Sequence, residues 1–400
     1  MKIKYRDLSL LGLFIYLCAI YLGNTERIIG FGMFILLSLP QFYMKRHNQY
    51  AKWQFAFCAY LCLSYLWSHK GLMNTTVATL EILIPISALY CEMFLFAFIQ
   101  KEEDIRTIVH VFFASIVFLI LYLVAVTPLS VWGTMAIGQN VGLHKNSIGL
   151  NTAWGSVICF YYIRETVRKK KTYIALFVVF SMVCLVVGSR KALVILLGGI
   201  ALYYVLCEKN VKLLKNIGIA IGVVLIVWLM VMNIPVLYKQ VGERTAKMVE
   251  TLFRSTSVSI TEDKSIWERS YYRRYAMQMF MESPLYAIFG HGLDGFRTRM
   301  AEIGYYHVAY SHCNYTELLA NYGILGFLLY YFIKVKTVVK TFLQKNRPKI
   351  VTLFMIVLGL GIVIDYGVVS YYDTFIQFNF ALSYCVIMKT KAIGQAPAVL

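Results

Sequence analysis

The sequence predicts an all-α fold: a polytopic membrane protein with about 12 transmembrane helices and one large extracytoplasmic loop between the ninth and tenth. Of its 400 residues, 59% are hydrophobic and only 15% are charged, and the mean hydropathy is +0.64. A soluble domain of this length requires far fewer apolar residues. The apolar residues also fall in runs of roughly 15 to 24, long enough to cross about 30 Å of hydrocarbon as helices.

The predicted spans lie near residues 8–22, 28–44, 53–68, 76–99, 107–127, 147–163, 172–187, 191–207, 213–233, 316–333, 350–369 and 371–388. Only a few residues separate the seventh span from the eighth, and the eleventh from the twelfth, so each pair is predicted to form a tight hairpin. The first run follows three basic residues and lacks a small-residue cleavage site. It is therefore interpreted as a retained span rather than a signal peptide.

Lys and Arg are distributed unequally between the loops. With the amino terminus in the cytoplasm, the inside segments hold 24 of them and the short outside loops hold 5. Because basic residues accumulate in short cytoplasmic loops, both termini are predicted to be cytoplasmic. The predicted organisation is transmembrane helices one to nine over 1–233, the extracytoplasmic loop over 234–315, and the last three helices over 316–400. Amphipathic helices are expected in the loop, the second ending at Pro284 and the glycines after it.

Several function classes are not indicated. The net charge of +19 does not predict nucleic-acid binding, because the basic residues follow the loops instead of clustering on one soluble face. Seven of the nine cysteines lie inside apolar runs, and none has metal-ligand spacing. His291 and Asp294 are too few ligands to predict a metal site. No nucleotide-binding or metalloprotease motif occurs, so neither a metal nor a cofactor is expected.

Basic side chains at the predicted outer surface form the first part of a candidate site. Arg190 and Lys191 lie in the turn GSRK between the seventh and eighth spans. In WERSYYRRYAMQMF, Arg269 and Arg273 are one helical turn apart and share a face, whereas Arg274 turns away. Taken alone, each group is also typical of side chains that reach lipid phosphates at the interface.

The stretch SHCNYTELLANYGILG supplies the second part. His312 and Thr316 are four residues apart, which on a helix places the histidine above a stripe of small residues that includes Ala320 and Gly323. Guanidinium groups bind phosphate bidentately, and histidine transfers protons near neutral pH. The arginines and the histidine together predict a site for a phosphorylated substrate.

Acidic residues inside predicted spans indicate a different class of protein. Glu81, Glu92 and Asp365 fall at such positions, and ionisable groups there often mark ion or proton pathways. Asp365 is near the outer end of its helix, where we expect it to reach water. A transporter or flippase would require Glu81 and Glu92, whereas an enzyme would require the outer arginines and the histidine. A non-catalytic assembly protein would require none of these side chains individually.

Three stretches resemble motifs of the O-antigen ligase and polymerase superfamily, membrane enzymes that handle lipid-linked surface polysaccharides. They are SHCNYTELLANYGILG, ERSYYRRYAMQMFMESPLYAIFGHGLDGF and GSRKALVILL, and the resemblance covers roughly residues 142–326. It implies catalytic roles for His312, Arg269 and Arg190. The implied substrate-binding residues are Lys191, Arg273, Asn146, Lys145, Asn314 and Tyr315.

The resemblance also implies a reaction. A glycan carried on a polyprenyl diphosphate would be transferred to an acceptor hydroxyl, with Arg190 and Arg269 holding the diphosphate and His312 positioning or deprotonating the acceptor. The predicted protein is a polysaccharide polymerase of a bacterial cytoplasmic membrane, serving capsule, exopolysaccharide or O-antigen synthesis. The alternative is a ligase that moves a finished glycan to a different acceptor. Expected partners are the donor and acceptor glycans, the lipid bilayer, and flippase and chain-length regulator proteins.

Overall fold

The computed structural model describes residues 4–39, 48–128, 131–132, 137–139, 143–166, 169–207, 264–304 and 310–395, with isolated positions between 218 and 238. Its main elements in these residues are fourteen helices, which confirms the all-α class. They are α1 (Tyr5–Ala19), α2 (Asn24–Ser38), α3 (Gln49–Ser64), α4 (Thr75–Phe98), α5 (Glu102–Val126), α6 (Lys145–Glu165), α7 (Lys170–Val187), α8 (Arg190–Cys207), α9 (Lys264–Met281), α10 (Pro284–Phe289), α11 (Gly295–Glu302), α12 (Asn314–Phe342), α13 (Lys349–Ile364) and α14 (Thr374–Gln395).

Five of the described helices are long enough and apolar enough to cross a membrane: α4, α5, α7, α8 and α12. The predicted count of about twelve is therefore not confirmed. Helices α1, α2, α3 and α13 have 15 or 16 residues, fewer than the roughly 17 to 25 that a span needs. Helix α6 has 21 residues but buries Asn151, Thr152 and Ser156 along its length. The predicted span near 213–233 lies largely outside the described residues.

Contacts at the two ends of the bundle show how the helices alternate in direction. At one end, here called the Arg6 end, Arg6 forms an ion pair with Asp104, and Lys349 Nζ lies 2.8 Å from Glu165 Oε1. The first pair joins the start of α1 to the start of α5. The second pair joins the start of α13 to the end of α6. The opposite end, here called the His312 end, contains the starts of α6, α8, α12 and α14.

Helix α12 is interrupted at Gly323, where φ is 62° and ψ is −168°. A Cβ at this position would lie 2.3 Å from a backbone oxygen of α10, so the close approach requires glycine. Two carbonyls before the break are paired outside the helix. Ala320 O accepts from His291 N at 3.0 Å, and Asn321 O accepts from Gly292 N at 2.7 Å. The segment after α10 is thereby fixed against α12.

Residues 264–304 of the predicted loop form three helices, α9, α10 and α11. Its arginine-rich stretch forms α9, which ends at Met281, shortly before Pro284 as predicted. Pro284 itself opens α10, where the Ser283 hydroxyl accepts a hydrogen bond from Tyr286 N at 3.2 Å. Gly290, with a φ of 70°, ends α10. The other predicted amphipathic stretch, VGERTAKMVETLF, lies outside the described residues.

Candidate functional site

His312 lies in the connection before α12, not on the helix. Its φ of 63° is left-handed, and α12 begins two residues later. The prediction that His312 and Thr316 share a helical face is therefore wrong. The turn is held from the helix instead, because the backbone N–H of Ser311 donates to Glu317 Oε2 at 2.6 Å.

The imidazole of His312 is enclosed by aromatic rings and positive charges. Its ring centroid lies 4.2 Å from that of Tyr310 and 6.2 Å from that of Tyr272. Among the described residues, its buried Nδ1 has no hydrogen-bond partner. Burial, followed by the charges of Arg269 and Lys191, lowers the pKa of His312 to about 3. The ring is therefore neutral at physiological pH and keeps a lone pair that can accept a proton.

Helix α9 supplies two of the positive charges that act on His312. Arg269 and Arg273 are half-buried, whereas Arg274 is exposed, as the helical spacing predicts. The guanidinium carbon of Arg273 lies 4.7 Å from the centroid of the Tyr366 ring, close enough for a cation–π contact. Both guanidinium groups contribute to the low pKa of His312. The structure thus brings the predicted arginines of α9 to the predicted histidine.

Helix α8 supplies a third charge. It begins at Arg190, after a left-handed turn at Gly188. The Lys191 ammonium donates to the backbone oxygen of Gly367, and a Cβ at Gly367 would lie 2.9 Å from Lys191 Cε. The missing side chain at Gly367 therefore leaves room for Lys191 to cross the end of α13. Arg190 is half-buried beside it at the start of the helix.

A cavity of about 160 Å³ opens between the starts of α6, α8 and α14. It has room for several water-sized groups. Two predicted site residues, Asn146 and Lys191, line it. So do His144, Tyr310 and Asp373, which the sequence analysis did not single out. Each of these three lies just before the start of a helix at the His312 end. Polar residues close to the outer ends of the predicted spans were the signal that could have revealed them.

His144 caps the start of α6. Its Nδ1 accepts from Asn146 N at 3.1 Å, so Nε2 is the nitrogen that carries the proton in the neutral ring. Burial, and then the charges of Lys191 and Lys145, lower the pKa of His144. The side-chain oxygen of Asn146 accepts from Ser189 Oγ at 3.1 Å, which connects α6 to the turn before α8. The charges of Arg269, Arg273 and Lys191 around His312 are here called the cation group. The two predicted residues of α6, Lys145 and Asn146, thus lie next to this group.

Of the six predicted substrate-binding residues, four are not among the described lining of the cavity. Two of these four, Asn314 and Tyr315, join helices instead. The side-chain oxygen of Asn314 accepts from two backbone N–H groups before α14, at 2.9 and 3.1 Å. Its nitrogen donates to Tyr331 OH at 2.7 Å and to Asp365 Oδ2 at 3.2 Å. All four hydrogen-bonding positions of the amide are occupied, so Asn314 joins helices. Asp365 is fully buried, and the expectation that it reaches water is wrong. The Tyr315 hydroxyl donates to a backbone oxygen of α13.

Buried carboxylates beside the His312 turn connect α4 to the broken helix. Glu81 Oε2 accepts from Tyr322 OH at 2.5 Å and from Asp294 N at 3.2 Å. Asp294 Oδ1 accepts from Arg297 Nε at 2.9 Å. Burial raises the pKa of Asp294, although the charge of Arg297 opposes that shift. Glu81, for which the sequence offered no evident partner, is therefore part of a network that fixes α12.

Several of the residues at the His312 end lie in a segment with a recognisable family likeness. Residues 175–331 match the O-antigen ligase family model. The match includes Arg190, Arg269 and His312, and it confirms the resemblance to the O-antigen ligase and polymerase superfamily. Members of the O-antigen ligase family are glycosyltransferase-like membrane enzymes. No curated protein matches the chain.

Proposed function

We propose that this protein is a polysaccharide polymerase that joins polyprenyl-diphosphate-linked oligosaccharide repeat units at the outer face of the bacterial cytoplasmic membrane. The observation that carries the proposal is the convergence of Arg269, Arg273 and Lys191 around a neutral His312, next to the cavity that Asn146 and Lys191 line. Cations of this kind bind diphosphate, and a neutral imidazole accepts protons. All four residues lie in the segment that matches the O-antigen ligase family.

The proposed reaction assigns a role to each group. The bond between the anomeric carbon of the donor sugar and the phosphate oxygen breaks, and its electron pair leaves with the diphosphate. The acceptor hydroxyl oxygen bonds to the anomeric carbon, and its proton passes to His312. Arg190 and Arg269 hold the diphosphate, and Lys191 and Arg273 add charge. Preorganised cations stabilise the negative charge that develops on the leaving group.

The low pKa of His312 would couple substrate binding to base strength. In the empty site, burial and the neighbouring cations hold the pKa at about 3, which makes the ring a weak base. A bound diphosphate would neutralise the charges of Arg269 and Lys191. The pKa would then rise towards the operating pH, where general-base catalysis is most effective. His312 would therefore become an effective base when the donor is bound.

Two alternatives make different predictions. A ligase would use the same donor contacts but transfer a finished glycan to a different acceptor. A transporter or flippase would depend on Glu81 and Glu92. Both carboxylates are buried and hydrogen-bonded, Glu81 to Tyr322 and Glu92 to Asn48 at 2.7 Å. These contacts favour a role in holding helices together.

The glycans that remain on polyprenyl diphosphate distinguish these functions. Cells lacking the gene would be complemented with the wild type, with His312→Ala, or with Arg274→Ala as a control on the exposed face of α9. We expect single repeat units to accumulate on the outer leaflet in the deletion and with His312→Ala, and long chains to return with Arg274→Ala. Long chains retained on the carrier would instead indicate a ligase. Single units trapped on the cytoplasmic leaflet would indicate a flippase.

A further inference from the structure

A second and larger cavity, of about 400 Å³, lies at the Arg6 end of the bundle. It is formed by the start of α3 and the ends of α12 and α14, on the opposite side of the bundle from His312. Three lysines line it: Lys336 and Lys340, one turn apart on α12, and Lys391 on α14. None of its described lining residues is acidic.

In the part of the chain that the structure describes, these lysines differ from two other basic residues at the same end, which form ion pairs. Arg6 pairs with Asp104, and Lys349 pairs with Glu165. In the part of the chain that the structure describes, the three cavity lysines form no ion pair. Burial, and then the charge of Lys340, lower the pKa of the Lys391 ammonium. Like charges have thus been brought together without a counter-ion among the described residues.

Neutral hydrogen-bonding groups complete the lining. Thr337 and Thr341 are buried on α12, and Lys391 Nζ donates to Thr341 Oγ1 at 3.3 Å. Among the described residues, the hydroxyl hydrogen of Thr341 has no acceptor. Lysines that only set membrane orientation need not converge on a cavity. The Thr337 hydroxyl donates to Ile333 O at 2.7 Å, which leaves the Thr341 hydroxyl as a donor beside the ammonium groups of two helices. This arrangement suits an anion with several oxygens.

We propose that this cavity binds a phosphate group, carried either by the headgroup of an anionic lipid or by a soluble phosphorylated molecule. The lining also includes the apolar side chains of Ile333, Met388 and Ala392, which can contact the part of the ligand next to its phosphate. The inference rests on the cavity and its lysines alone and does not depend on glycan transfer at the His312 end.

Binding to the purified full-length protein in nonionic detergent tests the proposal. The probes are inorganic pyrophosphate and phosphatidylglycerol, with zwitterionic phosphatidylcholine as the lipid control. Three proteins are compared: the wild type, the cavity variant Lys336→Gln/Lys340→Gln/Lys391→Gln, and the control variant Lys169→Gln/Lys170→Gln/Lys171→Gln. The control removes the same charge at the start of α7, at the Arg6 end but outside the cavity. The cations at the His312 end are the same in all three proteins, so they cannot cause a difference between them.

We expect at least one anionic probe to bind the wild type saturably, about tenfold more weakly to the cavity variant, and nearly unchanged to the control variant. Binding of phosphatidylglycerol alone would identify a lipid headgroup, and binding of pyrophosphate would identify a soluble ligand. The proposal is overturned if neither probe binds, if the cavity variant binds as well as the wild type, or if both variants lose affinity equally. Should the triple variant fail to fold, the single variant Lys340→Gln, at an exposed position, is judged by the same comparison.

Discussion

The Glu317 carboxylate accepts a hydrogen bond from the backbone N–H of Ser311 at 2.6 Å, and this contact holds the left-handed turn at His312. Glu317 is fully buried near the start of α12. Glu317 is one of the polar residues that precede the apolar end of SHCNYTELLANYGILG. Its side chain therefore faces the protein interior, where it stabilises the turn. This makes Glu317 a positioning residue for the proposed base.

Replacing Glu317 tests this positioning role. Glu317→Gln keeps the size of the side chain but replaces the carboxyl acceptor with an amide, so we expect about tenfold slower glycan transfer with unchanged protein abundance. The rate would be measured with purified protein and a lipid-linked donor. The exposed Glu302→Gln serves as the control. Equal rates for Glu317→Gln and the wild type would remove Glu317 from the mechanism.

The contact between Lys191 and Gly367 gives a second prediction. A methyl group at Gly367 would lie 2.9 Å from Lys191 Cε and displace the lysine from its path. We expect Gly367→Ala to raise the KM for the lipid-linked donor about tenfold, because one cation of the group moves away. Gly359→Ala, within α13, is the control, because the nearest atom to a Cβ at that position would be 3.9 Å away. An unchanged KM in Gly367→Ala would show that Lys191 does not contact the donor.

The break in α12 predicts a large stability effect. Gly323 combines a positive φ with a backbone approach of 2.3 Å to α10, so Gly323→Ala should destabilise the fold by about 3 kcal/mol or more. Thermal unfolding in detergent measures this loss. At Gly32 a Cβ would meet nothing within 4 Å, so Gly32→Ala should unfold at nearly the wild-type temperature. A Gly323→Ala protein as stable as the wild type would show that the helix is not broken there.

The pKa of His312 predicts how stability depends on pH. The pKa is about 3 in the folded protein and about 6.5 in an unfolded chain. The unfolded state therefore binds more protons between these values, and the folded protein loses stability as pH falls below about 6.5. His312→Gln lacks this titration, so between pH 7 and pH 5 it should lose less stability than the wild type, by about 2 kcal/mol. Melting temperatures at both pH values test this, with the exposed His69→Gln as control. An identical loss in the wild type and His312→Gln would mean that His312 is accessible and titrates normally.

Local sequence patterns predicted part of this structure. The apolar runs predicted helices, and helical spacing correctly separated Arg269 and Arg273 from the exposed Arg274. These features depend on neighbouring residues alone. The number of spans was harder to predict, because the buried polar side chains of α6 resemble neither a lipid-facing span nor a surface helix.

Contacts between residues far apart in the sequence determine the features that local patterns did not predict. Tyr322 is 241 residues away from Glu81 in the sequence, so no local pattern could pair them. The turn at His312 depends on a positive φ and on the Glu317 carboxylate, whereas the spacing of His312 and Thr316 suggested a helix. The family resemblance implied that Asn314 binds substrate, but its amide is fully occupied between helices.

Glycan transfer by purified protein in lipid nanodiscs, supplied with a polyprenyl-diphosphate-linked repeat unit, tests the proposed function most directly. The variants Arg269→Ala and Arg274→Ala each remove one positive charge, from adjacent faces of α9. Of these two arginines, only Arg269 contributes to the low pKa of His312. The proposed mechanism predicts polymer formation about a hundredfold slower in Arg269→Ala and within about twofold of the wild type in Arg274→Ala. Equal polymer formation by the Arg269→Ala variant and the wild type would contradict it.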